Sequence, residues 1–424
     1  MKSGLASFMR LTCLMLIALL SIGLVSSTAW AGITYISTAS GPWSTMVWNP
    51  VGVPGAGDDV IIADGNTVVI DQAVSITNLT VGQGLSGKLT FDGVAARAVS
   101  LTGNLTIAPG GIFITQAQVA PIGDVATGSA TITNVTPDPT TTAIAVGMNV
   151  NGTGIPAAAT VVSWTNNSIT VSLVATANAL ATQLVITNTF ANTLALTGNL
   201  TNDGTFDMSQ LVGFTALATC NVTFNATVNQ LVTGTTPVLT RFRGVTLNKG
   251  GIGNEVLCNI DVSKSGSGTF LLTAGTWEQT AGMLTFSNGN EVWGAAGGLK
   301  ITGSASFADP GASLGSSTPF VQGILTVNTT GTFAQGSGNN SINIGSGGTC
   351  SLTAGTITLY GKLGLQSGSN TTINGANITI HQQGTALAPR SANFVSRTKR
   401  AGCTRFLRNR SQRCSGNSRR LFDA

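Results

Sequence analysis

Leu101-Thr102-Gly103-Asn104-Leu105-Thr106 returns almost a hundred positions later as Leu196-Thr197-Gly198-Asn199-Leu200-Thr201. The chain also repeats a three-residue unit: an apolar residue, a Thr or Asn, and a second apolar residue. The unit recurs as Leu79-Thr80-Val81, Leu89-Thr90-Phe91, Leu105-Thr106-Ile107, Val222-Thr223-Phe224 and Val245-Thr246-Leu247. Further on it is Leu284-Thr285-Phe286, Leu325-Thr326-Val327, Ile342-Asn343-Ile344, Ile357-Thr358-Leu359 and Ile378-Thr379-Ile380. Alternation with period two marks a strand with one buried face.

Between the short strands stand turn formers: Asp64-Gly65-Asn66, Asp92-Gly93, Pro109-Gly110-Gly111, Asn202-Asp203-Gly204 and Gly345-Ser346-Gly347-Gly348. Gly and Asn accept the positive φ that tight corners require. No stretch combines a 3.6-residue apolar period with strong helix formers, and only 8% of residues are charged. A second echo, Leu272-Thr273-Ala274-Gly275-Thr276 against Leu352-Thr353-Ala354-Gly355-Thr356, adds to the self-similarity. Strands and turns in imperfect repeats fit a β-solenoid or a β-sandwich array. The repeat favours the solenoid, and the expected fold is all-β: a right-handed parallel β-helix. Its coils would hold roughly 20–25 residues and stack on the order of a dozen deep, with Leu and Ile inside and Thr, Asn and Val in ladders.

One segment departs from this rhythm. Residues 123–187 carry their own strand pattern, a Pro137-Asp138-Pro139 turn and the phrase Val146-Gly147-Met148-Asn149-Val150-Asn151-Gly152-Thr153-Gly154-Ile155-Pro156. This is expected to be a small β-domain inserted into the solenoid. Its wording is similar to short modules of bacterial surface and phage structural proteins.

The ends differ from the body. Met1-Lys2 and Arg10 flank the start of an apolar run from Leu11 to Val25, and Ala29-Trp30-Ala31 offers small residues at a peptidase site. That arrangement predicts a secretory signal peptide over residues 1–31, cleaved after Ala31. The run is short for a membrane span of roughly 20 residues, and Cys13 lies within it rather than at a lipid-anchoring position. No later segment is long and apolar enough to cross a bilayer, so the mature chain is expected to be secreted or on the cell surface.

From Arg390 to Ala424 there are ten Lys or Arg and one acid, whereas the body from Gly32 to Pro389 holds eight basic and fourteen acidic residues. The formal charge of +5 therefore belongs to the ends, and the body offers no basic surface for nucleic acid. Residues 390–424 are expected to be disordered, and a frame-shifted or artificial terminus is the favoured reading of them. A basic arm for an acidic polymer is the alternative.

The start of the mature chain carries a resemblance. Trp43 and Trp48-Asn49-Pro50 lead into Val53-Pro54-Gly55-Ala56-Gly57-Asp58-Asp59-Val60-Ile61-Ile62. Gly65-Asn66-Thr67-Val68-Val69-Ile70-Asp71, Asn78-Leu79-Thr80-Val81 and Leu89-Thr90-Phe91 follow. This resembles the G8-type module and the first coils of bacterial secreted β-helix proteins. The resemblance implies an extracellular β-rich module associated with surface display and carbohydrate-related proteins, and it carries no catalytic residues over to this chain. The division expected is a cap and first coils over 32–122, the insert over 123–187, and solenoid over 188–389. Trp43 and Trp48 are expected to cover the open end of the stack, where bare strand edges would invite aggregation.

Candidate sites are few. Asp58 and Asp59 read as turn acceptors. The alternative is a Ca²⁺ site with Asp64 or Asp71, although their spacing matches no defined calcium loop. A nucleophilic triad needs a His base, and the one histidine, His381, reads as an exposed strand residue. Polysaccharide lyases and glycosidases need clustered carboxylates, or carboxylates with Arg or Lys. The candidates are Asp203 with Asp207, or Glu255 with Asp261, near Arg241 and Arg243. Arg241-Phe242-Arg243 alternates, which would put both guanidinia on one side of a strand, either solvated or holding a sugar acid. Trp164, Trp277 and Trp293, with Tyr35 and Tyr360, supply aromatic surface for core packing or sugar stacking. Cys220, Cys258, Cys350, Cys403 and Cys414 form no disulfide framework and lack metal spacing. No cofactor is expected. The expected function is a structural or adhesive surface solenoid contacting carbohydrate or matrix, with a β-helix carbohydrate-active enzyme as the alternative.

Overall fold

The computed structural model describes residues 32–45, 48–92, 95–115, 121–139, 144, 146–187, 191–209, 219–235, 239–264, 268–286, 291–309, 323–335, 341–360, 362–365, 368–381 and 390–393. Among them every long element is a strand, and the strands stack in parallel as a β-solenoid of about 11 turns. Among the described residues no helix is long and apolar enough to cross a membrane. The segment 1–31, residues 394–424 with Cys403 and Cys414, and the side chains of Tyr360 and His381 lie outside the described residues.

The strand pairings define three faces. The first runs from Thr34–Ser37 through Asp59–Ile62, Leu79–Val81, Leu105–Ile107, Leu200–Asn202, Gln230–Thr233 and Glu255–Cys258. The second runs through Thr67–Ile70, Lys88–Phe91, Ile112–Ile114, Thr205–Asp207, Leu239–Phe242 and Val262–Lys264. The third runs through Val74–Ile76, Ala98–Leu101, Ala191–Leu196, Thr219–Phe224 and Gly244–Asn248. From Phe270 onward single strands turn corners. Phe270–Gln279 pairs with Gly244–Asn248 at one end and Glu255–Cys258 at the other, with Gly275 at φ 124° in the bend.

The triplets explain the core. Their flanking residues point inward, so one position of the first face forms the ladder Val60, Leu79, Leu105, Leu200, Val232, Cys258, Gln279, Ile301, Val327 and Leu352, all buried. The central Thr points outward: Thr80, Thr106, Thr201 and Thr233 stand in register, with Thr201 and Thr233 hydroxyls 3.5 Å apart. Asparagines hold the corners. The Asn78 Oδ1 accepts the backbone N–H of Asn104 at 2.7 Å, and the Asn199 Oδ1 accepts that of Leu231 at 2.8 Å. The apparent N-x-[ST] sequons at Asn78 and Asn104 are thus corner residues of the stack.

The interior also holds a continuous aromatic chain. Phe91, Phe113, Phe206 and Phe242 follow one another at 5.8, 5.8 and 5.5 Å between centroids, and Trp277 lies 6.2 Å from Phe242. Phe270, Phe286, Phe307 and Phe333 continue it at 5.5, 4.9, 5.2 and 4.7 Å. Edge-to-face and offset pairs at such separations add about 0.5–1.5 kcal/mol each beyond burial.

At the N-terminal end Trp48–Asn49 lies antiparallel to Thr34–Ser37, against the parallel run of the stack. Trp43 and Trp48 are buried edge to face at 5.0 Å, and the Trp48 indole N–H donates to the Trp43 carbonyl at 3.1 Å. At the other end Arg390–Asn393 pairs antiparallel with Asn377–His381.

The insert separates cleanly. Strands from Ile122–Val125 to Ala179–Gln183 form a five-stranded antiparallel sheet, with Asn149–Asn151 and Val185–Thr187 paired beside it. It has its own core, including Val125, Ile132, Met148, Val150, Val161, Ile169, Leu184 and Ile186, with Trp164 packed against it. The solenoid resumes at Ala191–Leu196, which stacks directly on Ala98–Leu101.

Candidate functional site

The N-terminal carboxylates are hydrogen-bond acceptors for the corners. Asp58 takes the backbone N–H groups of Ile33 at 3.0 Å and Gly55 at 2.9 Å. Asp59 takes the Asn78 backbone at 3.2 Å and its side-chain amide at 2.7 Å. Asp64 collects the N–H groups of Gln83, Ser86 and Leu85 at 2.7, 3.0 and 3.2 Å, and those bonds, led by Gln83, hold its carboxyl below the usual range. Asp71 takes both the backbone N–H and the hydroxyl of Ser44. The four are spent on separate turns, and among the described residues no three His, Cys, Asp or Glu side chains converge to hold a metal ion.

The tryptophans lie inside. Trp277 is 0% exposed, donates its indole N–H to Gln279 Oε1 at 3.1 Å, and contacts Phe224, Phe242 and Phe270. Trp293 is buried as well, and Tyr35 belongs to the same core. Neither Trp277 nor Trp293 offers a ring face to a sugar at the surface, so their candidacy for stacking is corrected to core packing. Cys220, Cys258 and Cys350 are free and buried, and burial pushes the Cys258 and Cys350 thiols up to about 12.

Arg241 and Arg243 do not share a strand. The strand ends at Phe242, and Arg243 occupies the bend before Gly244–Asn248. Arg241 stands on the second face opposite Asp207, 3.5 Å from its carboxylate, which also accepts Ser209 N–H at 2.9 Å and its hydroxyl at 2.5 Å. Arg243 is partly buried and walls a recess of about 390 Å³ on the third face, with Asn221, Thr246, Thr269, Leu271 and Gly268.

The acidic candidates are also redistributed. Asp203 and Asp261 accept single backbone N–H groups, from Thr235 at 2.7 Å and Met283 at 2.8 Å. Glu255 is joined instead by Glu278 and Lys300 on the outer side of the first face. Lys300 pairs with Glu255, lies 3.6 Å from Glu278, and Thr302 donates to Glu278 Oε1 at 2.7 Å. Partial burial pulls the Lys300 ammonium down, but the bond and attraction to Glu255 outweigh it and its proton is held more tightly than usual. The alternation Trp277-Glu278-Gln279 and Leu299-Lys300-Ile301 was the signal for two of these residues, because it sets both charges outward at register partners.

Two lysines enter the interior. Lys249 and Lys264 are 0% exposed, and Lys249 Nζ donates to Gln230 Oε1 at 2.6 Å. Gln230 in turn donates to the Leu196 and Gly198 carbonyls at 3.1 and 2.6 Å. Neither family models, curated proteins nor solved structures match this chain.

Proposed function

We propose that the protein is an exported, surface-displayed β-solenoid with a structural or adhesive role, contacting carbohydrate or matrix polymer along its outer faces. The observation that carries this reading is the outward register of short polar side chains, coil upon coil, as in Thr80, Thr106, Thr201 and Thr233. Strands about 4.8 Å apart repeat the same groups along the axis, which suits an extended repetitive partner. The aromatic contacts run along the interior of the stack, and the insert adds a separate folded body midway. The test is retention of the purified full chain on immobilised polysaccharides and matrix proteins, with fractionation of the producing cell. Capture by glycan or matrix and recovery outside the cytoplasm support the reading; a cytoplasmic chain that retains neither overturns it.

A second reading, a carbohydrate-active enzyme, draws on the convergence of Glu255, Lys300 and Glu278 on one outer face. Two carboxylates held by one cation could divide acid and base roles on a glycosidic bond. Release of reducing ends or unsaturated products from a polysaccharide, abolished by Glu255→Gln and Glu278→Gln, would favour it. Absence of product across neutral and anionic polysaccharides sinks it.

A further inference from the structure

The recess beside Arg243 has the composition of a ligand site. Outward positions on the third face run in register from Thr193 to Asn221 to Gly244, and the adjacent row runs Ala195, Thr223, Thr246, Leu271. Gly244 interrupts the first row of side chains, and a Cβ there would lie 2.3 Å from Asn221 Oδ1. Gly268 sits equally close to the bend: its Cβ would lie 2.3 Å from the Arg243 carbonyl. The two glycines thus let the bend and strand pack tightly against Asn221 and Arg243, and beside them these residues, with Thr246, Thr269 and Leu271, line a space of about 390 Å³, at the small end of ligand pockets, roughly 300–1,000 Å³.

We propose that this recess binds a carboxylated sugar unit of an anionic polysaccharide. Arg243 receives the carboxylate, Asn221, Thr246 and Thr269 meet the hydroxyls, and Leu271 faces the C–H side of the ring. This rests on the carbohydrate-contact reading above and narrows it. The guanidinium is a planar fork matched to a carboxylate. Burial lowers the Arg243 pKa, but arginine remains charged. Its charge is therefore poorly hydrated, and an incoming anion feels it with less screening than on open surface. Among the described residues that line the recess none is acidic, whereas the body as a whole has fourteen acids to eight bases. Hydroxyl and amide side chains both donate and accept, as sugar hydroxyls require.

The test titrates the purified full chain with oligogalacturonate, oligoalginate and oligohyaluronan, and with carboxyl-reduced forms of the same oligomers. Saturable binding to at least one is expected, at least tenfold weaker after carboxyl reduction. Arg243→Gln is expected to weaken it at least tenfold, and Arg241→Gln to leave it within twofold. Thr246→Val, which keeps shape and removes the hydroxyl, is expected to weaken it several-fold and covers the case in which Arg243→Gln fails to fold. No binding to any of the three, indifference to carboxyl reduction, or unchanged binding in both recess variants overturns the proposal. Inorganic phosphate competing at equal concentration reveals a general anion site and also overturns it. Retention on neutral glycans with none of these effects leaves the adhesive role standing and defeats only this site.

Discussion

Asn104 and Asn199 are 95 residues apart in the chain and neighbours in the stack: the Asn104 Oδ1 accepts the backbone N–H of Asn199 at 2.9 Å. The same bond joins Asn78 to Asn104 across only 26 residues. Register is identical on both sides of the insert, with Leu105 over Leu79 and Leu200 over Leu105. The inserted domain therefore leaves the coil geometry untouched. Removing residues 121–187 and joining 120 to 188 is expected to preserve the far-ultraviolet β spectrum and shift the melting temperature by only a few degrees. Collapse of the remaining chain would mean that the insert is part of the solenoid core.

Phe206 bridges Phe113 and Phe242 in the aromatic chain and is 0% exposed. Phe206→Ala is expected to cost about 3–5 kcal/mol, the usual range for emptying such a site. Thr201→Ala, on the outer face, is expected to stay within about 0.5 kcal/mol. Denaturant midpoints of the two variants check the contrast, and equal losses would contradict the inward–outward assignment.

Burial lowers the Lys249 pKa from 10.5 to about 8. Between those values the unfolded chain holds the proton that the folded chain has released, so this residue makes stability rise with pH over that window. Ionisation of the three buried thiols on unfolding acts in the opposite direction above pH 9. The discriminating quantity is the difference in melting temperature between the parent and Lys249→Met. The advantage of the variant is expected to be largest below pH 8 and to shrink toward pH 10.5. A constant difference would contradict the burial of this ammonium.

Lys300 separates the charges of Glu255 and Glu278. Lys300→Met is expected to lower the unfolding midpoint by leaving two facing carboxylates, and the loss is expected to shrink as salt screens their repulsion. A loss independent of salt would assign Lys300 a packing role instead.

Much of this architecture is legible in residue order, for physical reasons that also mark the limits. Leu-Thr-Val and its relatives state which side chains go inward, so the first-face ladder and the outward threonines follow from alternation alone. Gly103-Asn104 and Gly198-Asn199 mark equivalent corners. Contacts between coils are not written locally. Phe113 and Phe206 meet because coils of unequal length bring them into register, and Phe91 reaches Phe113 from two positions beyond its register partner Leu89; no local period reports that. Glu255, Glu278 and Lys300 come from three successive coils, and only the latter two show their shared row. Arg243 misled because alternation presumes a continuing strand, whereas Gly244 begins a new face. The burial of Trp277 and Trp293 likewise depends on which face their strands join.

The central claim is the axial stacking of parallel coils, and a disulfide across two of them tests it most directly. Thr106 and Thr201 are outward register partners on adjacent parallel strands, within the Cα separation of roughly 4.4–6.8 Å that a disulfide spans. The native Cys220, Cys258 and Cys350 are buried and do not compete. In a background carrying Cys403→Ser and Cys414→Ser, the pair Thr106→Cys and Thr201→Cys is expected to oxidise in the folded state, while Thr106→Cys with Thr246→Cys stays reduced. Failure of the first pair to close, or equal closure of both, contradicts the stack.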